Sequence, residues 1–210
     1  LKEGNASLHA NNIAFDPLTS QGINVGNNPG DQTVAPGKSK NYEYYAHPDY
    51  NINGALLWDF GNLTTNVRDG LFGGIIIGPR GSVYRDPDTG KDISLGNSWK
   101  ADVIIDKSIP ENRNMENYRD FALYFQDEDN ILGTSFMPYL QNVAGLTGVN
   151  YRLEPWLYRE DEGCELGNMF TACVAADKDP ATPTIRAHAG DNVMINVFGG
   201  HNEQNQMFNV

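Results

Sequence analysis

Few side chains in this 210-residue chain could bind a transition metal. They are four histidines and two cysteines: His9, His47, His188, His201, Cys164 and Cys173. A type 1 copper centre requires a thiolate with two imidazoles nearby, and a structural zinc site requires four such donors. The cysteines lie far from every histidine in the sequence, so the spacing favours neither kind of centre. Most of the histidines are therefore expected to be ordinary turn or surface residues.

Two of the histidines have surroundings that predict such a role. His47 precedes Pro48 and is expected in a turn, and His188 alternates with Arg186, which predicts a polar face of a sheet. His201 stands in the polar segment GGHNEQNQ, which we interpret as a loop. An imidazole in such a loop is accessible to a metal ion, so His201 is a candidate metal ligand.

The two cysteines are close to each other, in the segment CELGNMFTAC from Cys164 to Cys173. A metal-binding pair would normally have Cys-x-x-Cys spacing with further ligands nearby. We expect a local disulfide in an exported protein, and two free buried thiols are the alternative. The interpretation places the chain in a secreted or extracytoplasmic compartment.

A cluster of carboxylates in the segment DPDTGKD has the oxygen donors that Ca²⁺ prefers. It contains Asp86, Asp88 and Asp92, but it lacks the glycine at position six and the closing glutamate of an EF-hand loop. Asp and Gly are also ordinary turn residues. A solvated turn is therefore the preferred interpretation, and Ca²⁺ binding is the weaker alternative.

The composition excludes several classes of partner. The formal net charge is -12, from 15 Lys and Arg against 27 Asp and Glu, which argues against binding to nucleic acid or to an anionic membrane. No apolar run approaches the roughly 20 residues that a membrane-spanning helix needs. Gly and Pro are frequent, at 22 and 11 residues, which is typical of many turns between short strands.

These metal-binding candidates are distributed over segments that the pattern predicts to be short strands. The predicted strands are 7–15, 40–48, 55–60, 71–79, 101–106, 120–128, 149–155, 183–190 and 192–199. Most are bounded by Gly, Pro or Asn, which predicts an all-β sandwich. Residues 78–100 are rich in Gly, Pro, Asp and Ser, so we interpret them as a connector or long exposed loop.

Three segments in the first half follow the order of a known family. They are LHANNIAFDP, VAPGKSKNYEYYAHP and GALLWDFGNLTTNVRDGLFGGIIIGP, all between residues 8 and 79. Their order and spacing resemble the latter part of a cupredoxin domain in the multicopper oxidase superfamily. There a His-x-His strand is followed by Pro-Gly and a Tyr-rich strand, by Gly-Thr-x-Trp-Tyr-His-x-His, and by Asp-Gly-Leu before a strand ending in Gly-Pro.

The second half resembles the opening strands of a following cupredoxin domain. The resemblance rests on YRDFALYFQDED, on GVNYRLEPW and on residues 182–210. The motif pattern most resembles that of the large bacterial manganese-oxidising multicopper oxidases. It implies a cupredoxin-like Greek-key sandwich in which residues 1–85 end one domain, 86–117 connect, and 118–210 begin a second domain.

The copper-ligand positions of the family are largely lost in this sequence. The His-x-His position reads His9-Ala10-Asn11, and the second His-x-His position reads Asp59-Phe60-Gly61, so only the first of four histidines remains. His9 therefore joins His201 as a candidate metal ligand. We also expect Asn11 and Asp59 to hydrogen-bond across the two strands, as a polar plug in the former site.

The resemblance implies a segment of a secreted multicopper oxidase that is structural and copper-poor. Other domains or subunits of the larger enzyme would hold the copper and would oxidise Mn²⁺, another metal ion or a small organic reductant with O₂. These remaining domains would be the partners of the segment. The alternative is a non-enzymatic cupredoxin-like binding or scaffold module. His-x-His and His-Cys-His motifs in the flanking sequence would favour the oxidase over the scaffold module.

Overall fold

The computed structural model describes residues 4–26, 30–47, 52–62, 66–67, 70–93, 98–127, 147–149 and 184–201. Within these residues the regular structure consists of ten β-strands and one short 3-10 turn at Pro110–Asn112. This confirms the prediction of an all-β protein. The Greek-key connection and the proposed domain bounds remain predictions. Cys164 and Cys173 lie outside the described residues, so their disulfide also remains a prediction.

Two small sheets surround the first group of buried residues. The larger has the order β1-β4-β5 and consists of His9–Ala10, Gly54–Trp58 and Phe72–Ile76. The other pairs β2 (Ala14–Phe15) with β3 (Tyr44–Tyr45), and all of these pairings are antiparallel. Ala10, Ile13 and Ala55 form the buried cluster, and Tyr44 and Leu57 pack against it. Because Tyr44 of the second sheet packs against this cluster, apolar contacts join the two sheets.

A turn divides the predicted strand 7–15 into β1 and β2. At the turn, Asn12 has a φ of 63°, in the left-handed region. Asparagine tolerates this region better than most residues with a side chain. The double asparagine of the sequence therefore ends one strand and redirects the chain into the next.

A buried glutamine organises the loop that follows β2. Gln32 is 1% exposed, and its side-chain amide donates to the Leu18 carbonyl at 2.6 Å. Its side-chain oxygen accepts a bond from the Gly22 backbone at 3.4 Å, and its own carbonyl accepts one from the Tyr42 hydroxyl at 2.5 Å. The loop is thus held by polar contacts, which position the Gln21 carbonyl beside β1.

The third sheet contains the remaining strands, in the order β10-β8-β7-β6, with β9 paired to β8. They are β6 (Val83–Arg85), β7 (Lys100–Ile104), β8 (Tyr118–Asp127), β9 (Thr147–Val149) and β10 (Val193–His201). Strand β6 lies in the segment predicted as a connector or loop. The strand predicted at 183–190 is wrong over 184–190, which approach β10 without regular structure.

The register of this sheet separates an apolar row from a charged one. Tyr84 lies opposite Val103, and Val103 lies opposite Tyr118, so these three side chains share a face. At the neighbouring position Arg119 donates to both carboxylate oxygens of Asp102, at 2.6 and 3.0 Å. Alternation along the strands therefore places the ion pair on the opposite face from the tyrosines.

The chain divides into two compact units that are discontinuous in sequence. One comprises Leu1–Ile77, Phe125–Thr147 and Phe198–Val210, and the other comprises Gly78–Tyr124 and Gly148–Val197. The described residues contain no helix with the length and apolar character that a membrane crossing requires.

Candidate functional site

The candidate site lies where β1 meets β4, the two strands that the family resemblance aligned with copper-binding strands. His9 pairs directly with Trp58. Its ring also contacts Phe60 and Phe15, with centroids 5.0 and 5.4 Å away. The imidazole is therefore a half-buried member of an aromatic group on one side of the strands.

The His9 ring is held in a defined orientation. Its Nδ1 lies 2.6 Å from the Gln21 carbonyl oxygen, an atom that can only accept. Nδ1 therefore carries the proton, and Nε2 of the neutral ring keeps its lone pair. Histidines that bind metals are commonly oriented in this way, with the second ring nitrogen bonded to a carbonyl. One imidazole nitrogen is nevertheless a single donor.

Asp59 stands at the other aligned position and is buried, at 4% exposure. One carboxylate oxygen accepts the Ser7 backbone N–H at 2.8 Å. The other accepts the Gly61 backbone N–H at 2.7 Å and the Asn66 side-chain amide at 2.9 Å. These three donors solvate the carboxylate from within the chain, and they tie the segment before β1 to the turn after β4.

The local sequence explains why these groups converge. The Asp59 backbone N–H continues the β4–β5 ladder by donating to Leu71 at 3.1 Å, which fixes the carboxylate beneath the strand end. A Cβ on Gly61 would lie 2.5 Å from the Asn5 carbonyl oxygen and 2.8 Å from the Ala6 Cα. Only glycine lets the backbones of these two segments approach so closely.

The pairing of Asp59 with Asn11, expected as a polar plug, is wrong. The Asn11 backbone donates to Leu56 at 2.9 Å, so the register places Asn11 three residues from Asp59 along β4. A strand rises by about 3.3 Å per residue, so the two side chains are too far apart to hydrogen-bond. Asp59 is bonded to Ser7, Gly61 and Asn66 instead.

Strand alternation also separates the positions that the resemblance aligned with copper ligands. His9 shares its side with Trp58 and Phe60, whereas Asp59, between these two aromatic residues, faces the buried side. Gly61 contributes backbone only. Over the described residues, no three His, Cys, Asp or Glu side chains come together as a metal-binding group.

The other histidines lie apart from this site. His47 follows β3, and its ring packs edge-on against Tyr45. His188 lies in a turn, not on the sheet face that was predicted, with its backbone and ring both directed to Asp191. His201 is the last residue of β10, not a loop residue as predicted.

The carboxylates of the DPDTGKD segment form a turn stabilised by its own side chains. Asp86 accepts backbone bonds from Asp88 and Thr89, and the Thr89 hydroxyl bonds the same oxygen. The bonds from Thr89 hold the pKa of Asp86 below its ordinary value. Asp88 forms an ion pair with Lys100. These contacts hold Asp86 and Asp88 within a hairpin turn that Arg85 and Asp92 close through a backbone bridge.

One buried carboxyl group was not singled out from the sequence. Asp120 on β8 is 2% exposed and accepts a bond from the Asn196 side-chain amide at 2.8 Å. Its second oxygen is buried and has no hydrogen-bond partner in the described part of the chain. The sequence signal is an aspartate between Arg119 and Phe121 within a strand-like run, and the pattern is equally compatible with a solvent-exposed position there.

No protein-family model matches the chain, and no curated protein matches it. The likeness to multicopper oxidases therefore rests on the quoted sequence segments alone.

Proposed function

We propose that this chain is a structural, copper-poor segment of a secreted multicopper oxidase. The observation that carries the proposal is the hydrogen bonding of Asp59, which occupies an aligned copper-ligand position. Both carboxylate oxygens already accept hydrogen bonds from within the chain. Two of the three donors are buried backbone N–H groups, and the third is a side-chain amide. The group at this position therefore joins two segments of the fold and is unsuited to binding copper.

The chemistry of the aligned positions supports the same role. Copper in these centres is bound by imidazole nitrogen and thiolate sulfur, whereas Asp59 offers hard oxygen atoms and Gly61 offers no side chain. His9 has its Nδ1 bonded to a backbone carbonyl, as metal-binding histidines commonly do, but a lone imidazole does not hold copper against water. The copper chemistry would therefore belong to other domains, where Mn²⁺ or an organic reductant loses electrons and O₂ accepts them.

A non-enzymatic cupredoxin-like scaffold or binding module is the second candidate. The same Asp59 network supports it, because a carboxylate that joins two segments serves any domain of this shape. The two proposals differ only in whether the complete natural polypeptide carries out oxidation.

The test has two arms. In the first, the 210-residue chain is incubated with Cu²⁺, dialysed and analysed for metal, and we expect far less than one copper per chain and no intense blue absorption. Stoichiometric copper would overturn the copper-poor role. In the second, the complete natural polypeptide is loaded with copper and supplied with Mn²⁺ or a phenol. O₂ consumption is expected, and its absence would exclude the oxidase and leave the scaffold module.

A further inference from the structure

Asp120 differs from the other buried aspartate in how its charge is compensated. Asp59 accepts bonds from three donors, whereas Asp120 accepts one from Asn196, and its Oδ2 has no partner in the described residues. Both side chains are almost completely buried, at 4% and 2% exposure. A buried carboxylate with a free oxygen is costly to ionise, and a proton on that oxygen removes the cost.

Among the described residues, the groups that face Asp120 offer no positive charge. Tyr84 on β6 and Tyr118 on β8 lie on its face of the sheet, and both hydroxyl groups lie near Gly78. Asp120 pairs with Ala101 on β7, and β10 contributes the neutral amide of Asn196. The Asp102–Arg119 ion pair lies on the opposite face and is already bidentate.

We propose that Asp120 is a proton-binding site that makes the attachment of β10 to β8 depend on pH. In mildly acidic solution the carboxyl is neutral and Asn196 bonds its carbonyl oxygen. As the pH rises towards neutrality the proton leaves, and a charge with a single donor remains between the strands. The proposal is independent of the proposed function.

The electrostatics agree with this geometry. Burial raises the pKa of Asp120 from 3.8 to about 6, and the Asn196 hydrogen bond and the nearby Phe121 backbone N–H lower it by less. The folded chain therefore binds the proton more tightly than the unfolded chain. Its contribution to stability is complete below the unfolded pKa and is lost as the pH rises through the folded pKa.

The size of the effect follows from the two pKa values. Between them, each pH unit lowers the folding equilibrium constant by about a factor of 10. Over the interval from 3.8 to about 6 this gives a loss of roughly 100-fold. Water entering the site at the higher pH would reduce the factor, so it is an upper value.

The direct test is a carbon-13 NMR titration of the Asp120 carboxyl in the unmodified chain. We expect a midpoint near 6, clearly separated from those of exposed aspartates. A midpoint at or below the ordinary value of 3.8 would overturn the proposal. The Asn196→Ala variant removes the donor to the anion, so its midpoint should rise further. An unchanged or lower midpoint there would overturn the role of Asn196.

Unfolding in urea as a function of pH gives the second readout. Asp120→Asn cannot ionise, so the stability difference from the unmodified chain should move in favour of the variant as the pH rises from about 4 to about 7. Groups common to both proteins cancel in this difference. The matched control is Glu43→Gln, which removes an exposed carboxyl and measures the effect of losing a negative charge alone. A difference for Asp120→Asn that is flat, or no steeper than that of the control, would overturn the proposal. The carbon-13 titration stands even if that variant does not fold.

Discussion

Replacing Asp59 with alanine tests whether this residue holds the fold together. The substitution removes both carboxylate oxygens and leaves the backbone N–H groups of Ser7 and Gly61 without acceptors in a buried region. Asn66 loses less, because its amide also donates to the Asn5 carbonyl at 2.9 Å. The main cost is therefore that of two stranded backbone donors.

The expected loss follows from these two donors. A buried donor left without a partner costs about 1 to 3 kcal/mol, so Asp59→Ala should lower the free energy of unfolding by about 2 to 6 kcal/mol. Domains of this size have about 5 to 15 kcal/mol in total, so the variant will be strongly destabilised. Water that reaches the stranded groups would bring the loss towards the lower end.

Urea unfolding followed by tryptophan fluorescence measures this loss, with Glu43→Ala as the matched control. Glu43 is an exposed carboxylate, so its loss should change stability by no more than about 0.5 kcal/mol. EDTA should leave the urea midpoint of the unmodified chain unchanged, because hydrogen-bond donors of the protein, not a metal ion, compensate the charge of Asp59. Equal stabilities of the two variants would refute the reasoning, and destabilisation of the unmodified chain by EDTA would show that a metal contributes.

Three further predictions concern backbone packing, ionisation and the cysteines. Gly61→Ala should lower the free energy of unfolding by about 1 to 3 kcal/mol, because the new Cβ forces the Asn5 and Ala6 backbone away. Gly73→Ala has no atom near the added Cβ and should lower it less. Equal urea midpoints for the two variants would contradict this. Burial raises the pKa of Tyr44 to about 12, so its phenolate should appear only in strong alkali in an absorbance titration, and stability should fall as the pH rises above 10.0. Other buried tyrosines also titrate late, so Tyr44→Phe should reduce that late step by one phenolate, and a late step unchanged by the substitution would exclude the assignment. Cys164 and Cys173 should give no free thiols when the unreduced protein is unfolded and titrated, and two reactive thiols would exclude the disulfide.

The positions of the longer strands could be predicted from the sequence. Strands β4, β5, β7, β8 and β10 are runs of apolar and aromatic residues between turn signals, and each overlaps a predicted strand. Strand β6 could not be predicted in this way, because Val83–Arg85 is three residues long and lies in a Gly- and Pro-rich segment. It is a strand because β7 pairs with it, which is a tertiary effect.

The candidate site was predictable in its residues but not in its geometry. The quoted motifs singled out His9, Asn11, Asp59 and Gly61, but one-residue differences in strand register decide which side chains share a face. That register placed Asn11 opposite Leu56 and left Asp59 to other donors. Asn66 reaches Asp59 through the turn after β4, and no sequence period links the two residues.

Gly61 also limits which substitutions evolution can make at this site. A histidine there would bring a Cβ into the backbone of Asn5 and Ala6, and moving that segment would take the Ser7 N–H away from Asp59. A single mutation to histidine there would therefore damage the fold. Any larger side chain at position 61 requires the segment from Asn5 to Ser7 to move with it, so the two segments can change only together.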